Sequence, residues 1–195
     1  MNETGAFRNA IFASLGILCA AAAVAAGPRL DRHKTGPDAA TGTANQTLPG
    51  GADSLQEAHG DWRVACVHHD GQKQCSLSQQ VMDKDSRQRI LAIELTTPSP
   101  GQAEGTLVLP FGLALDKGVT LQVDDAAAGP TLRFRTCLPA GCVVAVTFDA
   151  KAVAALRTGT TLTVKATGEN TQEVSLGVSL KGFASALDRI VALAK

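Results

Sequence analysis

Four cysteines carry the most definite chemistry in this 195-residue sequence. Cys66 and Cys75 are separated by eight residues, and Cys137 and Cys142 are separated by four. Four cysteines allow three pairings, and the short spacings favour the local one, in which each pair closes a turn. In the chain-entropy model, a disulfide that closes a loop this short stabilises the folded state by roughly 2–3 kcal/mol. The sequence therefore predicts two disulfides, with the local pairing preferred.

Redox catalysis and zinc binding are alternative uses of these cysteines. A thiol–disulfide catalyst typically carries Cys-x-x-Cys at the start of a helix, which lowers the pKa of the attacking thiol. Here the closer pair is separated by four residues, including Pro139, in a predicted turn. Zinc would need His68 and His69 beside Cys66 and Cys75. Adjacent side chains on an extended segment point to opposite sides, and the spacing fits no structural zinc pattern, so we predict no metal site.

Arg133 and Arg135 are the candidate contact residues. They lie two apart on a predicted strand next to Cys137, where they would form a small basic ridge. A guanidinium group can meet a carboxylate or phosphate of a partner through two hydrogen bonds. Charge that protects a sheet edge from aggregation is the alternative interpretation.

No catalytic residues are identifiable from motifs. The sequence contains no Gly-x-Ser-x-Gly elbow, P-loop, dinucleotide-binding glycine fingerprint or His-Glu-x-x-His motif. Glu94 is the one acid within an apolar strand, and it falls on the face opposite its apolar neighbours. Asp124-Asp125 precede an alanine-rich turn, so solvent exposure is expected for these carboxylates. We predict a non-enzymatic protein without a cofactor.

Charge and aromatic content argue against nucleic-acid binding. Lysine and arginine total 18, as do aspartate and glutamate, so the formal net charge is zero. The sequence has no tyrosine, and only five aromatic residues follow position 26. Base stacking needs exposed aromatic side chains, and binding to the phosphate backbone needs a positive field.

The N-terminus predicts export. Residues 10–26 form an uncharged apolar run after Arg8, and Ala23-Val24-Ala25 matches the small-x-small pattern of a signal-peptide cleavage site. Residues 1–26, which include Cys19, are interpreted as a signal peptide, with an uncleaved anchor as the alternative. A periplasmic or secreted protein is expected, or, for the anchor, an inner-membrane protein that faces the periplasm.

Residues 27–58 are predicted to be a flexible linker, because they are rich in glycine, alanine, threonine and proline and contain three large aliphatic side chains. A folded domain is predicted over residues 59–195. Eight or nine short strands with turn signals between them indicate an antiparallel β-sandwich of the immunoglobulin-like type. Two short helices accompany them. Asp149 would cap the first, over 150–157, with Gly159 as its stop, and the second runs from 183 to about 194.

A hairpin over residues 131–148 is the centre of this predicted domain. Two runs suited to strands flank the turn Leu138-Pro139-Ala140-Gly141, in which proline and glycine supply the required dihedral angles. Cys137 falls in phase with Arg133 and Arg135 rather than with the apolar residues between them. A bulge or a surface-facing disulfide is therefore expected.

Several motifs, in order, resemble the invasion-associated locus B family of small exported proteins of Gram-negative bacteria. They are Gly60-Asp61-Trp62-Arg63-Val64 with Cys66, Gln74-Cys75 with Gln79-Gln80-Val81, Pro110-Phe111-Gly112-Leu113, Arg135-Thr136-Cys137-Leu138-Pro139-Ala140-Gly141-Cys142, and Val178-Ser179-Leu180-Lys181-Gly182-Phe183. The resemblance covers nearly all of residues 60–190. It implies a secreted or envelope-associated β-sandwich with two disulfides, and it brings no catalytic residues. The long linker before the domain departs from the family pattern.

The expected partner is an envelope or host protein. An assembly factor or chaperone that adds a client strand to a sheet edge is the alternative. Contact with a membrane is expected only through an uncleaved N-terminal segment. The oligomeric state is left open by the sequence.

Overall fold

The computed structural model describes residues 48–69 and 72–194. The predicted export segment, with Cys19, lies outside the described residues. So do residues 27–47 of the predicted linker and the Asp70-Gly71 turn.

Within the described ranges the chain forms ten strands and two α-helices, with short 3₁₀ turns at Pro49–Gly51 and Leu115–Lys117. The strands are β1 Ser54–His59, β2 Trp62–His69, β3 Gln72–Met82, β4 Arg89–Thr96, β5 Ala103–Leu109, β6 Val119–Val123, β7 Phe134–Leu138, β8 Gly141–Phe148, β9 Thr161–Thr167 and β10 Glu173–Ser179. The helices are α1 Ala150–Thr158 and α2 Phe183–Leu193.

The strands form two antiparallel sheets. The large sheet has seven strands in the order β1-β2-β3-β4-β5-β8-β7, and the small sheet has the order β10-β9-β6. The predicted fold class, mainly antiparallel β with two helices of which the second is C-terminal, is confirmed. The first five strands form a meander, because each is joined to the next by a short connection. Immunoglobulin domains instead use Greek-key connections.

One core takes side chains from both sheets and both helices. Trp62 on β2 is fully buried, and its ring meets that of Phe183 on α2 edge to face, with centroids 5.1 Å apart. This geometry is the one that aromatic quadrupoles favour. On the inward face of the large sheet, α2 packs against β1, β2 and β3, and β10 of the small sheet contacts β3.

The ordered domain starts upstream of His59. Residues 54–58, which the sequence analysis assigned to the linker, lie in β1, where all six residues pair in register with β2. Leu55 packs against the core, and Leu48 is 2% exposed. An edge strand with one half-buried face needs few apolar side chains, because main-chain hydrogen bonds to β2 order it. Composition alone therefore underestimates how ordered such a segment is.

Both helices begin and end close to where the sequence predicts. The Asp149 carboxylate accepts a hydrogen bond from Ala152 N at 2.7 Å, and Gly159 follows the last turn of α1. Gly182, at φ 90°, precedes α2. A Cβ atom on Gly182 would lie 2.0 Å from the carbonyl oxygen of His59. Only glycine allows the turn between β1 and β2 to pack this closely on the start of α2.

Candidate interaction site

The β7–β8 hairpin is closed by a tight turn and a disulfide. Leu138 pairs with Gly141 across Pro139-Ala140, and Cys137 pairs directly with Cys142. The Cα atoms of the two cysteines are 3.9 Å apart, and their sulfurs are bonded. A Cβ atom on Gly141 would lie 2.4 Å from the carbonyl oxygen of Leu109, so glycine lets the hairpin pack against the end of β5.

The two cysteines of this disulfide differ in burial. Cys142 is buried, whereas Cys137 is exposed. The register of β7 shifts between Phe134, which pairs with Val144, and Thr136, which pairs with Val143. The phase of Cys137 predicted this irregularity. Arg135 is therefore the extra residue of a bulge, which places it outside the regular ladder.

Both candidate contact arginines are exposed next to this disulfide. Arg133 lies just before β7, and Arg135 lies within it. Neither side chain makes a hydrogen bond or an ion pair in the part of the chain that the structure describes. Upstream, Leu132 exchanges two backbone hydrogen bonds with Val119 of the small sheet, at 2.8 and 2.9 Å. The arginine-bearing segment is thus fixed at both ends, to one sheet by Leu132 and to the other by Cys137.

β7 forms one edge of the large sheet. It pairs with β8 on one side and has no strand on its other side among the described residues. Unpaired amide and carbonyl groups along such an edge can accept a further strand.

Large apolar side chains are exposed at the same end of the molecule. Leu138 is 52% exposed at the hairpin turn, and Phe111 is 62% exposed. Phe111 follows Leu109, the partner of Cys142 across β5 and β8. The Arg89 guanidinium donates from Nη2 to the carbonyl oxygen of Ala140 at 2.8 Å, which ties the turn to β4. We call this surface, made of Phe111, Arg133, Arg135, Leu138 and the Pro139-Ala140 turn, the hairpin end.

The second disulfide is structural. Cys66 and Cys75 are register partners on β2 and β3, bonded, with Cα atoms 4.1 Å apart. Cys66 is fully buried in the core. Both bonds join cysteines locally, which is the pairing that the spacings favoured. His68 and His69 lie on β2 beyond the buried part, and the described residues contain no group of three or more histidine, cysteine or acidic side chains that could hold a metal.

A serine, a histidine and a glutamate line up between β1 and α2, and their hydrogen bonds argue for a structural role. His59 Nδ1 lies 3.3 Å from Ser185 Oγ, and its Nε2 lies 3.3 Å from Glu57 Oε2. The Ser185 hydroxyl donates a hydrogen bond to the Gly182 carbonyl oxygen at 3.0 Å. Arg189 donates to both carboxylate oxygens of Glu57 at 2.7 Å. The carboxylate and the hydroxyl are therefore committed to other partners, and the cluster ties α2 to the edge strand.

Two members of the same cluster have shifted pKa values. The hydrogen bond from Arg189, supplemented by the contact with His59, holds the pKa of the Glu57 carboxyl below its usual value of 4.5. Glu57 in turn raises the pKa of the Arg189 guanidinium. Both shifts favour the charged pair, so this contact is intact at neutral pH.

A buried polar junction joins the two sheets, and sequence reasoning missed it. Gln79 is 7% exposed, and its side-chain amide pairs with the backbone of Ser179. Trp62 Nε1 donates to the Ser179 carbonyl oxygen at 2.9 Å, and Ser179 Oγ donates to Asp61 Oδ2 at 2.7 Å. The signal was present in the sequence, because Gln79 occupies an inward position between Leu77 and Val81. Three of the family motifs meet here, in a junction that holds the fold together.

The described residues thus define a two-sheet β domain with two local disulfides, an open sheet edge and an apolar, basic end. None of their helices is long and apolar enough to cross a membrane. A family model described as "Invasion associated locus B (IalB) protein" matches residues 62–191. The chain belongs to this family.

Relatives and a solved structure agree with this assignment. The chain is 47% identical over 150 residues to an invasion protein B homolog of Brucella abortus strain 2308, covering 76% of this chain and 86% of the relative. It is 40% identical over 161 residues to invasion protein B of Bartonella bacilliformis, covering 80% and 86% respectively. The crystal structure of invasion associated protein b from Bartonella henselae superposes with a TM-score of 0.68 at 37% identity. That match covers 71% of this chain and 96% of the other.

Proposed function

We propose that this protein is an exported, non-enzymatic interaction module of the bacterial envelope, which binds a partner protein through the hairpin end. The observation that carries the proposal is the exposure of Leu138 and Arg135 on a hairpin that a disulfide, a bulge and Arg89 hold in one shape. Protein interfaces concentrate their energy in aromatic and arginine side chains, and Phe111 and Arg135 are of this kind. A rigid hairpin also loses little conformational entropy on binding.

The chemistry of the hairpin end indicates the character of the partner surface. Arg133 and Arg135 are free to pair with carboxylates, and Leu138 and Phe111 need an apolar pocket or patch. A protein surface that combines acidic and apolar side chains fits both requirements. The relatives are named for invasion, so a host protein is one candidate partner and an envelope protein is the other.

Two disulfides support an extracytoplasmic location, because disulfides form and persist in oxidising compartments. Together with the apolar N-terminal segment 1–26, they favour a periplasmic or secreted protein, with an inner-membrane protein that faces the periplasm as the alternative. Cell fractionation followed by N-terminal sequencing of the mature protein tests this. A mature N-terminus near residue 27 in the periplasm or medium is expected. An intact N-terminus in the inner membrane would establish the anchored alternative.

Affinity capture with hairpin-end variants tests the interaction. The protein purified from the envelope, carrying Leu138→Asp with Arg135→Glu, is compared with wild type as bait against envelope extracts and host-cell lysates. A control, Glu173→Arg, changes an exposed charge on β10 of the small sheet. A partner held by wild type and control, and lost by the variant, is expected. Equal capture by all three baits contradicts the proposed surface, and turnover by the purified protein contradicts the non-enzymatic role.

Client-strand binding at the β7 edge is a second candidate, favoured by the open edge itself. Arg135→Pro and Arg135→Ala distinguish it from side-chain recognition, because both remove the guanidinium and only proline also removes the backbone amide hydrogen. Binding lost with proline and kept with alanine favours strand addition. Equal loss with both substitutions favours contact through the guanidinium.

A further inference from the structure

The described residues leave the outward face of the large sheet uncovered. Side chains alternate along each strand, so the residues between the core positions of β1 to β5 and β8 point away from both helices and from the small sheet. None of these outward side chains is buried. Many of these outward side chains are short, namely alanine, serine, threonine or valine.

One cross-strand row shows how the charges on this face are placed. Successive register partners across six neighbouring strands are Ala58, Arg63, Ser78, Glu94, Thr106 and Ala145. Arg63 and Glu94 therefore stand at equal distances on either side of Ser78, one strand away in each direction. Both are exposed, and neither has an ion-pair partner in the described part of the chain.

The face is also hollow and partly apolar. Two shallow depressions of about 420 and 210 Å³ share Ser78 and Gln80 in their floor, and Arg63 borders the first while Glu94 borders the second. Val67 and Met82, each 48% exposed, lie on the same side of the sheet. Exposed apolar side chains beside polar ones are typical of surfaces that another protein covers.

We propose that this face binds a second copy of the same chain. The two-fold axis lies between the two stacked sheets and runs parallel to β3. Rotation by 180° about that axis sets β2 of one copy over β4 of the other. Arg63 then meets Glu94 of the other copy, Glu94 meets its Arg63, and Ser78 faces itself. Such reciprocity is what a two-fold interface requires, since each contact occurs twice.

The small side chains let the sheets approach. Ala58 and Thr106 exchange places across the axis, and Ser78 at the centre adds little bulk, so the sheets can pack at about the 10 Å usual for stacked sheets. Five facing strands at about 4.8 Å spacing cover a flat area on the order of 500 Å² on each copy, not counting the extra area of protruding side chains. That is below the roughly 800 Å² per partner of a standard interface, so we expect a dimer that dissociates on dilution.

The choice of a second copy over a foreign partner rests on the symmetry of the charges. Because Arg63 and Glu94 lie on either side of Ser78, a two-fold axis at Ser78 brings these opposite charges together twice, so the face is complementary to itself. This surface is separate from the hairpin end, so a failure of the proposed partner binding would not contradict the dimer, and the reverse also holds.

Charge exchange at this row tests the dimer. Sedimentation velocity over a wide concentration series is run on the protein purified from the envelope, with Arg63→Glu, Glu94→Arg, the double exchange and Ser78→Arg. Each single exchange opposes like charges at two symmetric positions, so we expect the dissociation constant to rise about tenfold or more. The double exchange should return to near the wild-type value, and Ser78→Arg should abolish dimerisation.

Two controls keep the outcome interpretable. Glu173→Arg repeats the Glu94→Arg charge change on the small sheet and should leave the dimer unchanged. Circular dichroism and thermal melting establish that each variant is folded. A wild-type protein that stays monomeric at the highest accessible concentration, a double exchange that does not restore association, or a dimer that survives Ser78→Arg would each overturn the proposal.

Discussion

The side chain of Gln79 pairs with the backbone of Ser179 as a neighbouring strand would. Gln79 Nε2 donates to the Ser179 carbonyl oxygen at 2.9 Å, and the Ser179 amide donates to Gln79 Oε1 at 3.0 Å. The two residues belong to different sheets, β3 and β10. One amide group thus supplies a rung of main-chain-like hydrogen bonding between sheets that share no ladder.

Gln79→Ala should destabilise the fold by about 1–3 kcal/mol, with a further loss from the space it opens. Trp62 Nε1 still satisfies the Ser179 carbonyl oxygen, but the Ser179 amide loses its acceptor inside the protein. Urea unfolding measures the change. Gln80→Ala removes the same side chain from an exposed neighbouring position and should cost well under 1 kcal/mol. Equal effects of the two substitutions would show that the junction contributes nothing specific.

Gly182→Ala should cost more than Gly112→Ala. Both glycines have positive φ, at 90° and 83°, so alanine is strained by about 1–2 kcal/mol at either position. A Cβ atom at Gly112 meets nothing within 4 Å, whereas one at Gly182 meets the His59 carbonyl oxygen at 2.0 Å. The difference in unfolding free energy between the variants therefore isolates the clash. A difference near zero would mean that the turn and α2 move apart at little cost.

The Cys137–Cys142 bond should be reduced before the Cys66–Cys75 bond under native conditions. Cys137 is exposed, while Cys66 has no accessible surface. Thiolate attack needs access to a sulfur, and the second bond offers none at Cys66 and only the partly buried Cys75 at its other end, so this bond should react more slowly. Timed treatment with dithiothreitol, alkylation and mass spectrometry reports the order. Before reduction, the described domain should contain no free thiol. Simultaneous loss of both bonds would mean that global unfolding precedes either reduction.

Glu57 should contribute stability that disappears in acid. Its folded pKa lies below its usual value of 4.5, so its contribution is complete above that value and is lost as the pH falls through the folded pKa. The difference in unfolding free energy between wild type and Glu57→Gln should stay constant near neutral pH and shrink below about 4.5. Urea titrations at a series of pH values measure it. The same pH dependence in an Arg189→Gln background would show that Arg189 is not the cause.

Local signals in the sequence predicted local structure well. Asp149 and Gly159 bracket α1 as expected, because capping depends on residues within one turn of the helix end. The phase of Cys137 predicted a bulge or a surface-facing disulfide, because strand alternation sets Cys137 apart from its apolar neighbours. The structure has a bulge at Arg135, and Cys137 is exposed. Short cysteine spacings likewise favoured the pairing that the structure contains.

Relationships between residues far apart in the sequence were harder to predict from it. β1 was missed because its order comes from pairing with β2 rather than from its own composition. Ser179 lies 100 residues from Gln79, so their hydrogen bonds follow from how two sheets pack, which alternation within one strand does not specify. That Phe111 and Leu138 lie at one end of the domain follows from the order of β5, β8 and β7, which no local pattern specifies.

Both disulfides connect cysteines that are consecutive along the described chain, at sequence separations of nine and five. Where thiols are oxidised while a chain emerges from a translocation pore, Cys66 meets Cys75 before Cys137 and Cys142 arrive. Once Cys66 and Cys75 are bonded, Cys137 and Cys142 are left to pair with each other. Stepwise oxidation therefore yields the native connectivity directly. Production of the protein should accordingly depend on an oxidase that makes disulfides, and little on an isomerase that rearranges them.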